Sequence, residues 1–256
     1  MLSQSWKWNK DESMLATRLI CVPFAGAGAS FFNAWKGVED GLQPLALQLP
    51  GREKRFLEPL YGDVHAAADE LAATLLDDDA DAPALIFGHS LGAVLAFELA
   101  RRLEASTHYP LLGVVASGSP APWSPRSERA SDQHDDDGFI ASVSRFSGYR
   151  HAALVDPMMR ELLLPVLRAD VRMHEDYLPR DSAGLSVPLI TVRGADDTLV
   201  NADQISGWRG ATSADCTHHT LPGGHMYFVD DPAPLLQLIS RFAHLRGAVP
   251  AVADAR

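Results

Sequence analysis

The sequence predicts an α/β fold: a mostly parallel central sheet flanked by helices, with an inserted helical lid. Two observations predict it. Compact apolar runs alternate with segments of helical periodicity along nearly the whole chain, and one long stretch between two such runs carries helices but no strand. The 256 residues are 46% hydrophobic and 21% charged, which excludes disorder, collagen-like repeats and coiled coil. A single α/β unit accommodates a chain of this length.

The elements follow in order. Residues 1–17 are polar and mixed in charge, without the apolar core of a secretion signal, and read as a loose extension. Arg18–Phe24 is a compact apolar run after its first residue, as a strand buried on both faces should be, and Pro44–Leu49 is a second such run. Val64–Leu76 has helical spacing and stops at Asp77-Asp78-Asp79-Ala80-Asp81. Like charges there oppose the helix dipole, so the run is a solvated loop. Ala84–Phe87 is the third strand and leads into a helix over Leu91–Leu103. Leu111–Ala116, Val187–Arg193 and Cys216–Leu221 supply three more strands, and Asp203–Trp208 and Pro234–His244 two more helices. Residues 120–184 break the rhythm: Pro120, Pro122 and Pro125 open a polar loop through Asp137, and helical patterns follow over Phe139–Phe146 and Pro157–Tyr177. An insertion this long is more often a functional cap than a passive loop, so it is read as a lid that opens. Residues 247–256 form a tail.

Composition excludes several functions. Twenty-two basic against thirty-three acidic residues give a net charge of −11, which argues against nucleic acid as a partner. Cys21 and Cys216 lack paired ligand spacing and read as buried reduced thiols, so neither a disulfide scaffold nor a metal site is expected. No stretch reaches the ~20 apolar residues of a membrane helix, and a cytoplasmic monomer is expected. Asp132-Gln133-His134-Asp135-Asp136-Asp137-Gly138 imitates a calcium loop, but its glycine comes one place too late, and a solvated loop is the plainer reading.

The sharpest chemical signal is Gly88-His89-Ser90-Leu91-Gly92, an instance of G-x-S-x-G between an apolar strand and an amphipathic helix. Such a tight turn strains its central residue and lifts the Ser90 hydroxyl clear of the sheet, beside the backbone N–H of Leu91, a candidate oxyanion donor. A serine hydroxyl needs a base, and the base an orienting carboxylate. In α/β-hydrolases these follow in the order Ser, Asp or Glu, His. His225, in the glycine-rich loop after the last strand, fits the base; His218 and His219 lie within that strand, and His89 is buried in the turn. Asp197 is the chosen carboxylate, with Asp196 the alternative, both following the fifth strand. The second oxyanion donor should come from Pro23-Phe24-Ala25-Gly26-Ala27-Gly28, where Ala25 is the candidate. A dinucleotide site fails there because Phe31 stands in place of the third glycine, and a P-loop fails for want of G-K-[ST]. Phe31, Phe32 and Trp35, at helical spacing, read as core first and acyl-binding wall second.

With these residues in view, the chain resembles the type II thioesterases that accompany polyketide and nonribosomal peptide synthetases. Pro23-Phe24-Ala25-Gly26-Ala27-Gly28 resembles the family's P-x-A-G-G loop, and Pro50-Gly51-Arg52-Glu53-Lys54-Arg55 its P-G-R-x-x-R segment. Arg168-Ala169-Asp170 through Glu175-Asp176-Tyr177 resembles its R-A-D…E-x-Y lid helix. The resemblance implies one α/β-hydrolase domain over residues 18–246, with the lid at about 120–184. It also implies hydrolysis of acyl groups, including stalled ones, from the phosphopantetheine thiol of acyl or peptidyl carrier proteins. Ser90, His225 and Asp197 are the implied catalytic residues, and no metal or bound cofactor is implied. Arg52 and Arg55 match the motif either as structural ion pairs or as substrate contacts. Arg145, Arg150, Arg160, Arg168 and Arg172 supply positive charge to the lid, as a docking face or as solvated helix faces. The rival functions are a discrete chain-releasing thioesterase, a general carboxylesterase, and a catalytically dead hydrolase fold used for binding.

Overall fold

Six strands, β1 (Thr17–Val22), β2 (Leu42–Ala46), β3 (Ala84–His89), β4 (Leu111–Ser117), β5 (Leu189–Gly194) and β6 (Cys216–Leu221), form one sheet in the order β2-β1-β3-β4-β5-β6. Every neighbouring pair is parallel. The computed structural model describes residues 17–39, 41–77, 82–106, 109–125, 129–148 and 152–247. Residues 1–16 of the extension, residues 248–256 of the tail, Arg150 and most of the acidic run after Asp77 therefore lie outside the described residues, whereas Thr17 opens β1 and Gly247 closes α6.

Parallel strands need crossovers, and most carry helices: α1 (Val64–Leu76), α2 (Leu91–Ala105), α3 (Asp136–Ser147), α4 (Pro157–Glu175) and α5 (Ala202–Ser206) lie between strands, and α6 (Ala233–Gly247) follows β6. Alternation along each strand divides the core. Ile20, Val22, Ile86, Val114 and Ala116 join a cluster with α1 and α2, whereas Leu19, Cys21, Leu85, Phe87 and Val115 join one with α6 and a 3-10 helix at Ala29–Trp35. β3 is buried along its whole length, as a central strand covered on both faces must be. Burying each such aliphatic or aromatic side chain contributes about 1.5–3 kcal/mol. Among the described residues no helix is long and apolar enough to cross a membrane.

The element boundaries differ from expectation where prolines, glycines and caps intervene. β1 stops at Val22 because Pro23 offers no N–H, and β5 starts at Leu189, after Pro188. β2 runs over Leu42–Ala46 with Pro44 inside it, tolerated because β2 is an edge strand. The helix read over Asp203–Trp208 divides at Gly207 into α5 and a 3-10 turn, Gly207–Ala211, which buries Trp208. In the insertion, α3 begins at Asp136 because the Asp135 carboxylate accepts the Gly138 N–H at 2.7 Å. The acids read as a solvated loop thus cap a helix, where their charge favours the dipole. Between β4 and β5, α3 and α4 share a small core of Phe139, Ile140, Leu164 and Ala130.

Candidate active site

The site is built at the carboxyl ends of the strands, where parallel α/β sheets place their ligands. Ser90 sits between β3 and α2 with φ 53° and ψ −117°, outside the regions that L-residues favour. The turn is enforced by close backbone approach: a Cβ on Gly88 would lie 1.9 Å from the Gly92 carbonyl oxygen, and one on Gly92 2.5 Å from that of Val22. The Ser90 N–H donates to the Ser117 carbonyl at 2.8 Å, which ties the turn to β4. The Ser90 hydroxyl has no hydrogen-bond partner among the described residues.

The loops after β5 and β6 are laced together before they present side chains. The Ala195 N–H donates to Leu221 O and the Asp196 N–H to Gly223 O, each at 2.8 Å. Arg193 braces the first loop by donating to the carbonyls of Val200, Ala195 and Asp197. Asp197 and His225 are 5% and 4% exposed, and His225 Nδ1 lies 2.9 Å from Asp197 Oδ2. Asp197 Oδ1 accepts the N–H groups of Leu199 at 2.9 Å and Val200 at 3.0 Å, so the carboxylate is fully engaged and its orientation fixed. Asp196 is exposed and its side chain takes no part.

His89 is fully buried, with its ring centroid 4.6 Å from that of His225. Its Nδ1 lies 2.9 Å from Ser117 Oγ, itself 2.9 Å from the Tyr227 hydroxyl. Burial first, and then the nearby His225 and His174, push the His89 pKa well below the usual histidine value. Burial also raises the Tyr227 pKa, so both groups are neutral scaffolding at pH 7. His218 is exposed and His219 half-buried, both on β6.

Ser90 and His225 open onto one cavity of about 590 Å³. Ala25, Gly26, Arg52 and Glu53 line one wall, and α3 and α4 supply Ile140, Val143, Phe146, Leu163, Leu167 and Val171. Of the aromatic trio, Phe32 and Trp35 are core, whereas Phe31 lines the cavity. Periodicity alone could not divide the three, because they share one turn of 3-10 helix over the sheet edge. Sequence reasoning missed His174 on α4, which also lines the cavity, with Nε2 3.4 Å from Ser119 Oγ.

The two arginines of the P-G-R-x-x-R segment are both ion-paired. Arg52 is buried against Asp170, and Arg55 pairs with Glu58 and Glu70 and donates to Gln48 O at 3.0 Å. Arg160 pairs with Asp137 at 2.8 Å and Arg168 with Asp136 at 2.9 Å, so these two charges serve the inserted helices themselves.

Comparison with known proteins is consistent with this geometry. A family model described as a thioesterase domain matches residues 17–243. The chain is 35% identical over 237 residues to a probable cadicidin biosynthesis thioesterase of Streptomyces griseus, covering 92% of this chain but 65% of that protein. It is 36% identical to the thioesterase PikA5 of Streptomyces venezuelae, covering 84% and 76% of the two chains. In structure it resembles BorB, a type II thioesterase from the borrelidin biosynthetic cluster, with a TM-score of 0.80, 31% identity and coverage of 89% and 92%. It is equally similar to YbtT, a type II thioesterase from the yersiniabactin pathway, with a TM-score of 0.81, 30% identity and coverage of 91% and 96%. The domain match over nearly the whole chain and these similarities place the chain in the thioesterase family, α/β-hydrolases that cleave thioesters.

Proposed function

We propose that the chain is an editing thioesterase, removing acyl groups, stalled ones included, from the phosphopantetheine thiol of acyl or peptidyl carrier proteins in polyketide or nonribosomal peptide synthesis. The observation that carries this reading is the convergence of Ser90 and the Asp197-paired His225 on one apolar cavity. Ser90 Oγ attacks the thioester carbonyl carbon while His225 Nε2 takes its proton, and Asp197 holds the imidazole tautomer that makes Nε2 the acceptor. The oxyanion is received by the backbone N–H groups of Leu91 and Ala25. The C–S bond then breaks and the thiol leaves with the proton from His225. Water, deprotonated by the same nitrogen, attacks the acyl-Ser90 ester and frees the acid. The scheme calls on no metal or cofactor, and the inserted helices act as a lid over the acyl group.

The test is hydrolysis of an acetyl-phosphopantetheinyl carrier protein beside acetyl-coenzyme A and a p-nitrophenyl ester. Faster turnover of the carrier-bound thioester, abolished in Ser90→Ala, is expected. Preference for the oxygen ester would instead make the chain a general carboxylesterase. One observation favours a second reading, a discrete chain-releasing thioesterase: a cavity of about 590 Å³ is far larger than an acetyl group requires. Turnover rising steeply with acyl length would select that reading.

A further inference from the structure

Two sequence motifs without a part in the reaction scheme meet at one buried carboxylate. Asp170, on α4, is 2% exposed. Its Oδ2 accepts the backbone N–H of Gly26 at 2.8 Å and Arg52 Nη1 at 2.6 Å, and its Oδ1 accepts Arg52 Nη2 at 2.8 Å. Arg52 continues inward: Nη1 also donates to Ala27 O at 3.1 Å, and Nε donates to Pro50 O at 3.2 Å. The two residues following Ala25 are therefore held, one through its N–H and the next through its carbonyl.

The neighbouring residue holds the same loop farther along. Glu53 has φ 48°, and Glu53 and Ser90 are the two non-glycine residues with positive φ among those described. Such a conformation persists where its surroundings dictate it. The Glu53 carboxylate accepts the Ser30 N–H at 3.2 Å and the Ser30 hydroxyl at 2.5 Å. It fills the space beside Gly28, where a Cβ would lie 2.0 Å from Oε1. Arg52 and Glu53 thus grip both ends of Gly26–Ser30.

The physical need is clear. A loop reading Ala25-Gly26-Ala27-Gly28 has almost no side chain with which to anchor itself, yet an oxyanion donor works only when fixed within tenths of an ångström. A buried ion pair gives little net stability over an apolar pair of the same shape, but its fork geometry fixes positions. We propose that Arg52 and Asp170 are positioning residues that lock the Ala25 amide for the oxyanion and tie it to α4, so that the acyl-binding wall and the oxyanion loop move as one body. This rests on the reading of Ala25 as an oxyanion donor.

The experiment compares Arg52→Lys, which keeps the charge but loses the fork, with the double variant Arg52→Met/Asp170→Leu, which removes both charges together. Thermal unfolding establishes that each variant is folded. The expected result is a kcat about tenfold to hundredfold lower for carrier-bound and small thioesters alike, with KM within about twofold. A trifluoromethyl ketone, which Ser90 attacks to form a tetrahedral oxyanion, should lose affinity by the same factor. A thioether analogue, which forms no oxyanion, should bind unchanged. A purely structural role would move none of these ratios. A folded variant with unchanged kcat and unchanged ketone affinity overturns the proposal, and a raised KM at constant kcat overturns it in favour of direct substrate contact. If the double variant does not fold, Arg52→Lys carries the same readout. Ser90→Ala separates the two levels: turnover surviving that change defeats the catalytic reading itself, whereas Ser90-dependent turnover indifferent to Arg52 defeats only the clamp.

Discussion

The sheet and the inserted helices use apolar residues in opposite ways. In the sheet every side chain of β3 is buried, and the loops that carry Ser90, Asp197 and His225 are laced by backbone hydrogen bonds. In the insertion, α3 and α4 share a four-residue core and turn most of their remaining apolar side chains toward the cavity or to solvent. Met158 is 75% exposed and Leu162 46%. The insertion is fastened at the C-terminal end of α4, where Met173 and Tyr177 enter the core beside α2, and by polar ties of Asp170 to Arg52 and Tyr177 to Glu98 at 2.9 Å, while Glu175 accepts the Ala130 N–H at 2.7 Å within the insertion itself. The contrast separates two tasks. Under the proposed function, close packing fixes the reacting atoms, while the more sparsely packed wall accommodates acyl groups of varied shape.

Substitutions in each region test that separation. On the sheet side, Ser90→Ala should lower kcat at least a thousandfold, and Asp197→Asn by about a thousandfold or more, with little change in acyl-length preference. Steady-state kinetics over an acyl series checks both, and a shifted preference would break the division. Next in size, Phe97→Ala in the sheet core should cost about 3–5 kcal/mol of unfolding free energy, read by urea denaturation. Phe146→Ala on the half-buried face of α3 should cost under about 2 kcal/mol and change long-acyl turnover instead. Equal costs would mean that the insertion is packed as tightly as the sheet. Filling the cavity with Leu167→Trp should leave acetyl turnover within about threefold while lowering that of octanoyl substrates about tenfold or more.

The smallest effect concerns pH. The folded-state pKa of His89 is depressed, so below the unfolded value near 6.5 the unfolded chain binds a proton that the folded chain refuses. Stability contributed by neutral His89 is complete above about pH 6.5 and falls as pH drops, by at most about 1.4 kcal/mol per pH unit. Denaturant midpoints between pH 7 and 5 should show this slope, reduced in His89→Asn.

The sequence discloses most of the sheet because each strand is a dense local run, and α1 falls at its expected bounds for the same reason. The order Ser90, Asp197, His225 is legible because each residue follows a strand in a parallel sheet, so chain order becomes spatial proximity. What escapes is pairing over long separations. Arg52 and Asp170 stand 118 positions apart, and no periodicity in either segment announces that they meet. The positive φ of Glu53 is equally silent, since its carboxylate meets Gly28 and Ser30, more than twenty positions away. Acids at 135–137 mislead because one composition serves a solvated loop and a helix cap.

The strand order has a consequence for synthesis. From β1 and β3 onward, β4, β5 and β6 follow one another toward one edge of the sheet in the order in which they are synthesised. In the proposed scheme the nucleophile, Ser90, is synthesised early and its base, His225, late. A nascent chain ending before residue 225 lacks the base of the proposed scheme, which therefore requires the residues that follow the last strand.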